Sequence, residues 1–152
     1  MITLRESQIE ELSTFVTMES SDDTVAFIIP YSLEEHQAKF NVPNIVYLSI
    51  LNNERLAGFI ILALDPDGMS VEFRRIVVSA KGNGIGQAAI KVMEAYCQTT
   101  LQRNRIWLDV FEFNKRGKHV YKKLGYTQFK RGDHEGQPLL FYEKRLFMPA
   151  ER

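Results

Sequence analysis

Residues 71–86 read VEFRRIVVSAKGNGIG, a β-branched run that gives way to three glycines at alternate positions. The run predicts a strand ending at Val78. From Ile85 onward, Ala88, Ala89, Val92, Met93 and Tyr96 continue an apolar face at helical spacing, so a helix opens inside the glycine segment. A strand that feeds a helix through glycines can bring bare backbone N–H groups close to an anion at the positive end of the helix dipole. Diphosphate binding is therefore the physical reading of KGNGIGQ, residues 81–87.

Downstream, RIWLDVFEF at 105–113 predicts a strand after the helix, which completes a strand, helix, strand unit with a parallel crossover. Upstream, IVYLSIL at 45–51, a turn at Asn52 to Glu54 and RLAGFIILAL at 55–64 read as a hairpin. A turn at Asp65 to Gly68 then leads into a strand from Met69 to Val78, making an antiparallel meander. Residues 6–18 place Ile9, Leu12, Phe15 and Val16 at helical spacing, and Ser32 with Glu35 forms a capping box ahead of Leu33 to Phe40. Two short helices should open the fold. Beyond Asn114 a short basic helix holds Val120, Tyr121 and Leu124 and closes on Gly125, before YTQFKR and QPLLFYEKRLF form a last hairpin.

The 152 residues suit one domain, 1–152, with no internal repeat or linker. Apolar residues make up 45% and charged ones 25%, with 19 basic against 19 acidic, which argues against disorder and against nucleic acid as a partner. Cys97 is the sole cysteine, so no intrachain disulfide forms, and MITLRESQIEEL lacks the flank and apolar core of a signal peptide; both point to a reducing cytoplasm. No apolar run reaches the roughly 18 residues that cross a bilayer, so no membrane span and a soluble protein are expected. His36, His119 and His134 share no metal-ligand spacing, and no metal is expected.

The glycine segment admits several readings. A nucleoside-triphosphate loop needs Gly-Lys-Ser/Thr at its end, whereas Gln87 and Ala88 follow Gly86. In a dinucleotide fingerprint Gly82 and Gly84 would be the first two glycines and Asp109 the ribose-binding acid, but Gln87 takes the place of the third glycine and the lead-in is antiparallel. A plain tight turn would need fewer glycines than three.

VVSAKGNGIGQAAI resembles the acetyl-CoA loop of the GNAT superfamily of N-acetyltransferases, written Gln/Arg-x-x-Gly-x-Gly/Ala, with Lys81, Gly84 and Gly86 on its defined positions. Lys81 departs from the preferred Gln or Arg but keeps positive charge. The resemblance extends through VEFRRIVV, RIWLDVFEFN and Asn114 with YKKLGY, spans residues 45–131, and is nearest to ribosomal-protein N-terminal and polyamine acetyltransferases. It implies an α+β, GNAT-like fold: a mixed, mostly antiparallel sheet of about six to seven strands flanked by about four helices. It further implies a monomer or homodimer that moves an acetyl group from acetyl-CoA to a primary amine, either a small cationic amine or a protein N-terminus, by direct attack in a ternary complex. The implied cosubstrate contacts are Ile76, Val77 and Val78, whose backbone meets the thioester; Lys81, Gly82, Asn83, Gly84, Ile85, Gly86 and Gln87 at the pyrophosphate; and Asn114 and Lys118 beyond them. A catalytically idle acyl-CoA-binding module and a dinucleotide-dependent oxidoreductase remain the alternatives.

Amine acetylation needs a neutral nucleophile, yet an alkylammonium of pKa near 10.4 is only about 0.04% neutral at pH 7. By the resemblance Glu72 is the candidate base, directly or through water, although Arg74 on the same strand face offers it an ordinary ion pair. Tyr121 corresponds to the family tyrosine that protonates the leaving thiolate, against the alternative that it merely packs with Val120 and Leu124. Asn114 touches the pantetheine, caps the basic helix, or does both. Asp109, alternating with Trp107 and Phe111, lines the acceptor site or is a buried carboxylate satisfied by neighbouring backbone; the second is preferred. Cys97 packs in the core. Lys115, Arg116, Lys118, Lys122, Lys123, Lys130 and Arg131 would put positive charge near the coenzyme phosphates. Conversely, Glu19, Asp22, Asp23, Asp133 and Glu135 would make an acidic acceptor entrance suited to a cationic amine.

Overall fold

The computed structural model describes residues 1–21, 28–79 and 84–146. Chain order is β1 (Ile2–Glu6), a 3-10 turn (Ile9–Glu11), α1 (Leu12–Glu19), α2 (Leu33–Phe40), β2 (Ile45–Asn52), β3 (Arg55–Leu64), β4 (Ser70–Val78), α3 (Ile85–Thr99), β5 (Arg105–Phe111), α4 (Lys115–Lys123), β6 (Thr127–His134) and β7 (Gln137–Arg145). The strands form one seven-stranded sheet in the order β1-β2-β3-β4-β5-β7-β6. Every adjacent pair is antiparallel except β4 with β5, which the α3 crossover makes parallel.

Local chemistry explains most of these elements. β2 and β3 turn on Asn53 and Glu54, at φ 51° and 72°, and β6 and β7 turn on Glu135 and Gly136, at 49° and 83°. Two left-handed residues match the twist of the strands they join. Ser32 accepts from the Glu35 amide at 3.1 Å and Glu35 accepts from the Ser32 amide at 2.9 Å, which starts α2. On α3 the fully covered face is Ile85, Ala89, Ile90, Met93 and Cys97, rotated from the expected one so that Ala88, Val92 and Tyr96 are only half-buried.

Helices cover both faces of the sheet and make two cores. On one face α3 and α4 enclose Ile60, Leu62, Val71, Phe73, Ile106, Leu108 and Val110; on the other α1 and α2 enclose Tyr47, Phe59, Ile61 and Val77 with Leu12 and Phe15. This two-sided cover is why β3 reads GFIILA without alternation.

The start of the chain departs from expectation. Residues 6–18 do not form one helix: Ile2–Glu6 is an edge strand whose Leu4 pairs with Ile50, and Ile9 lies exposed in the 3-10 turn. The strand wins because Ile2 and Leu4 extend the α3-side core, a gain that helical spacing within 6–18 cannot supply. β4 begins at Ser70, with Met69 exposed, and β5 ends at Phe111, where the chain turns toward Asn114.

Candidate active site

β4 and β5 pair only at Ser70↔Arg105, Val71↔Ile106 and Glu72↔Trp107, and then part. A bulge sharpens the divergence: the β3 register passes from Leu62↔Phe73 to Ile61↔Arg75 and leaves Arg74 out. Phe73 and Ile76 consequently belong with the α3 side, whereas Arg75 and Val77 belong with the α1 side. Backbone from Phe73 to Val78 thus borders a cleft where a neighbouring strand would ordinarily lie.

Two carboxylates lie at this cleft and differ in their partners. Glu72 Oε1 accepts from Arg74 Nη2 at 2.8 Å, the ion pair that its strand spacing offers. Asp109 is exposed, and no hydrogen bond from the described residues reaches its carboxylate, which overturns the preferred expectation of a buried, backbone-satisfied side chain. Desolvation, then the charge of Glu72, raises the Asp109 carboxyl above the ordinary range, against weaker opposition from His134 and Arg74. Its side chain reaches solvent because the β4–β5 ladder has ended at Trp107, two residues earlier.

Tyr121 reaches the same place from α4. Its ring meets Phe73 edge-on at 6.1 Å and Tyr126 at 5.9 Å, while its hydroxyl makes no hydrogen bond with the described residues. Burial, with a contribution from Asp109, pushes that hydroxyl up to about 12, so it holds its proton throughout the neutral range. Asn114 caps α4, its Oδ1 accepting from the Gly117 amide at 2.9 Å. Lys118 is half-buried on that helix, and Lys115, Arg116, Lys122 and Lys123 are exposed. The two β6 members of the basic group are engaged elsewhere: Arg131 pairs with Glu112 at 2.8 Å and Lys130 lies 4.5 Å from the Phe141 ring centre.

Lys81, Gly82 and Asn83 lie outside the described residues. Gly84 stands at the start of α3 with φ 71°, a left-handed conformation that suits glycine, and its carbonyl accepts from the Ala88 amide at 3.1 Å. Among the described residues, a Cβ on Gly84 would meet nothing within 4 Å, and one on Gly86 only Val78 Cγ2 at 3.9 Å. Ile85 is buried beneath and Gln87 half-buried. Open space against bare backbone at a helix start fits the diphosphate of coenzyme A.

The acceptor side differs from expectation. Glu19 is no part of an acidic entrance: it is fully buried, its Oε1 lies 2.7 Å from His36 Nε2 and 3.3 Å from the Tyr31 amide, and its Oε2 accepts from Arg75 Nη1. His36 Nδ1 meets the Tyr47 hydroxyl at 2.7 Å, and Arg75 Nη2 donates to the Ile29 carbonyl at 2.8 Å while its guanidinium lies 3.8 Å from the Tyr31 ring centre. The reason is positional, since Glu19 falls four residues after Phe15 on the apolar stripe of α1. That stripe was the available signal, but no sequence pattern joins Glu19 to His36 and Arg75. Asp22 and Asp23 lie outside the described residues, and Asp133 and Glu135 are exposed.

Between this pinned segment and the last hairpin is an open cavity of about 560 Å³ lined by Ile28, Ile29, Phe111, Phe113, His134 and Glu135. Phe111 and Phe113 stack at 5.0 Å, and Phe111 meets His134 at 6.3 Å. A smaller hollow at Pro43, Leu64, Pro66 and Arg103 lies by the start of β4, away from the cleft, and Arg103 there is committed to the carbonyls of Asp65 and Ser70. Cys97 is buried against Met93, its thiol pushed up to about 12, and no group of three metal-ligating side chains occurs among the described residues.

A sheet parted beside a tyrosine, with a glycine-rich helix start at its end, is the architecture of an N-acyltransferase. The structure superposes on a spermidine N-acetyltransferase from Vibrio cholerae in complex with CoA and spermine, with TM-score 0.80, 18% identity and 95% of each chain covered. It matches a candidate phosphinothricin N-acetyltransferase similarly, with TM-score 0.80, 17% identity, 97% of this chain and 99% of that one covered. At such identities the likeness establishes the fold. Comparison with curated protein sequences gives no match. The family model described as "Acetyltransferase (GNAT) family" matches residues 8–126, and the chain belongs to that family. It is an acetyltransferase that uses acetyl-CoA and an amine.

Proposed function

We infer that this chain transfers an acetyl group from acetyl-CoA to a primary amine by direct attack in a ternary complex. The observation that carries the reading is the parted β4–β5 ladder, at which the Tyr121 hydroxyl, without a hydrogen-bond partner among the described residues, and the carboxylates of Glu72 and Asp109 converge. The pyrophosphate lies against the start of α3, held by backbone at Gly84 and Gly86 with Lys81, Gly82 and Asn83, while Ile85 and Gln87 shape the helix end. Pantetheine runs beside Ile76, Val77 and Val78, with Asn114 and Lys118 flanking it. The structure with spermine supports an amine acceptor for this fold, and polyamines are one class to test.

The amine nitrogen bonds to the thioester carbonyl carbon, and a backbone N–H of Ile76 to Val78 stabilises the oxyanion. The nitrogen's proton passes to Glu72 through water, since Arg74 occupies only Oε1. The C–S bond breaks, and Tyr121 gives its proton to the leaving thiolate; a hydroxyl held at about 12 carries that proton beforehand, and the thiolate charge that develops beside it draws the proton across. Coenzyme A release with a panel of amines tests the activity. Tyr121→Phe should lower kcat by roughly 10²- to 10⁴-fold with acetyl-CoA affinity unchanged. Near-normal turnover would return Tyr121 to packing.

A further inference from the structure

The charge expected at the acceptor entrance is partly withdrawn into the protein, because Glu19 is buried and saturated by Arg75, His36 and the Tyr31 amide. The cavity instead has one apolar side, made by Ile28, Ile29, Phe111 and Phe113, facing a polar rim of His134, Glu135 and Gln137. Ile29 is 55% exposed and Phe113 47% exposed, large values for side chains of this kind, and Phe113 is stacked on Phe111. Phe111 lies two residues from Asp109, on the same face of β5, so the strand carries the wall of the cavity about 7 Å from a carboxylate that no described residue satisfies. His134 binds the two regions together, packing edge-on to Phe111 and acting electrostatically on Asp109.

We propose that the acceptor is an amphipathic monoamine, first bound as its ammonium by Asp109 and attacking as the neutral amine once its proton has passed through water to Glu72, with an aromatic or branched aliphatic body against Ile28, Ile29, Phe111 and Phe113. The proposal rests on the acetyltransferase reading of the cleft and narrows its acceptor class. Apolar contact selects such a body because the exposed wall is dehydrated when it binds. A long polyamine could set one further ammonium on Glu135 at the rim, but the rest of its chain would lie against Phe111 and Phe113 without filling that side of the cavity. A free arylalkylamine and a peptide N-terminus bearing a bulky apolar first residue share this chemistry, and they differ only in whether a peptide chain continues beyond that residue.

The test compares 2-phenylethylamine, a short peptide beginning with Leu, the same peptide beginning with Gly, and spermidine. With acetyl-CoA saturating, kcat/KM for 2-phenylethylamine or the Leu peptide should exceed that for spermidine and the Gly peptide by about tenfold or more, as expected for burying part of an apolar side chain. Phe113→Ser, at an exposed position, should erase that preference by raising KM for 2-phenylethylamine and the Leu peptide far more than for spermidine. Asp109→Asn should raise KM for every amine and leave acetyl-CoA affinity intact. Calorimetric titration of 2-phenylethylamine into the coenzyme A complex separates the two readings. Binding lost in Phe113→Ser, with no turnover of any amine, would keep the acceptor site and overturn the transferase mechanism. Preference for spermidine, or an unchanged preference in Phe113→Ser, would overturn the proposal.

Discussion

Arg75 shows how much one side chain can hold together. Its guanidinium neutralises a fully buried Glu19, stacks on Tyr31 and donates to the Ile29 carbonyl, so it ties β4 to α1 and to the segment entering α2. Arg75→Met should cost about 3–5 kcal/mol in urea unfolding, because Glu19 would keep its burial and lose its main countercharge. Glu19→Met with Arg75→Met should recover much of that loss, and no recovery would refute a charge origin. Glu11 is simpler. Paired with Arg5 at 2.8 Å and hydrogen-bonded by the Gln8 amide and Ser49, its carboxyl is lowered to about 2. A depressed folded pKa stabilises above the ordinary carboxylate range and loses that contribution as pH falls toward 2. Glu11→Gln should therefore lower Tm at pH 7, with the difference from the parent narrowing below pH 4. An equal difference at pH 2.5 would contradict it.

At this scale the sequence is legible where a residue acts through its neighbours in the chain and opaque where it acts across the fold. Ser32 and Glu35 cap a helix three residues apart, and Asn114 caps another the same way, so both can be read directly. Asp109 cannot, since its isolation depends on β4 leaving β5. Glu19 is equally opaque, because acidity near a turn resembles a surface until His36 and Arg75 close over it.

Among the elements, β3 is confined at Gly58. A Cβ there would lie 2.1 Å from the Val77 carbonyl oxygen, within a strand pair that leads to the glycine loop. Gly58→Ala should cost about 1–3 kcal/mol, and because the clash is with backbone, it should also push β4 outward and weaken acetyl-CoA binding. Full stability with unchanged affinity would show that β3 yields instead. The hairpins and α3 are visible in period and turn chemistry, whereas β1 is hidden. Five residues with two apolar side chains carry too little alternation to outweigh the helical spacing beside them, and only pairing with Leu48 to Asn52 makes them a strand.

For the molecule as a whole, cosubstrate binding should appear as stability. At 100 times its dissociation constant acetyl-CoA stabilises by about 2.7 kcal/mol, which for a domain of this size raises Tm by roughly 5–10 °C. NAD should produce no shift; a shift with NAD alone would contradict the assignment of the glycine segment. The fold class is legible because a meander, a crossover helix and a final hairpin occur in one order along the chain, and few topologies accommodate that order.

The short β4–β5 ladder also divides the sheet mechanically. Strands β1 to β4 are laddered at length, as are β5, β7 and β6, but the two groups share backbone pairing only at residues 70–72 and 105–107. Across the remaining seam they are joined by side chains, with Phe73 on one side, Leu108 and Val110 on the other, and α3 clasping both. Apolar contact weakens on cooling, so this seam is where low temperature loosens the molecule first.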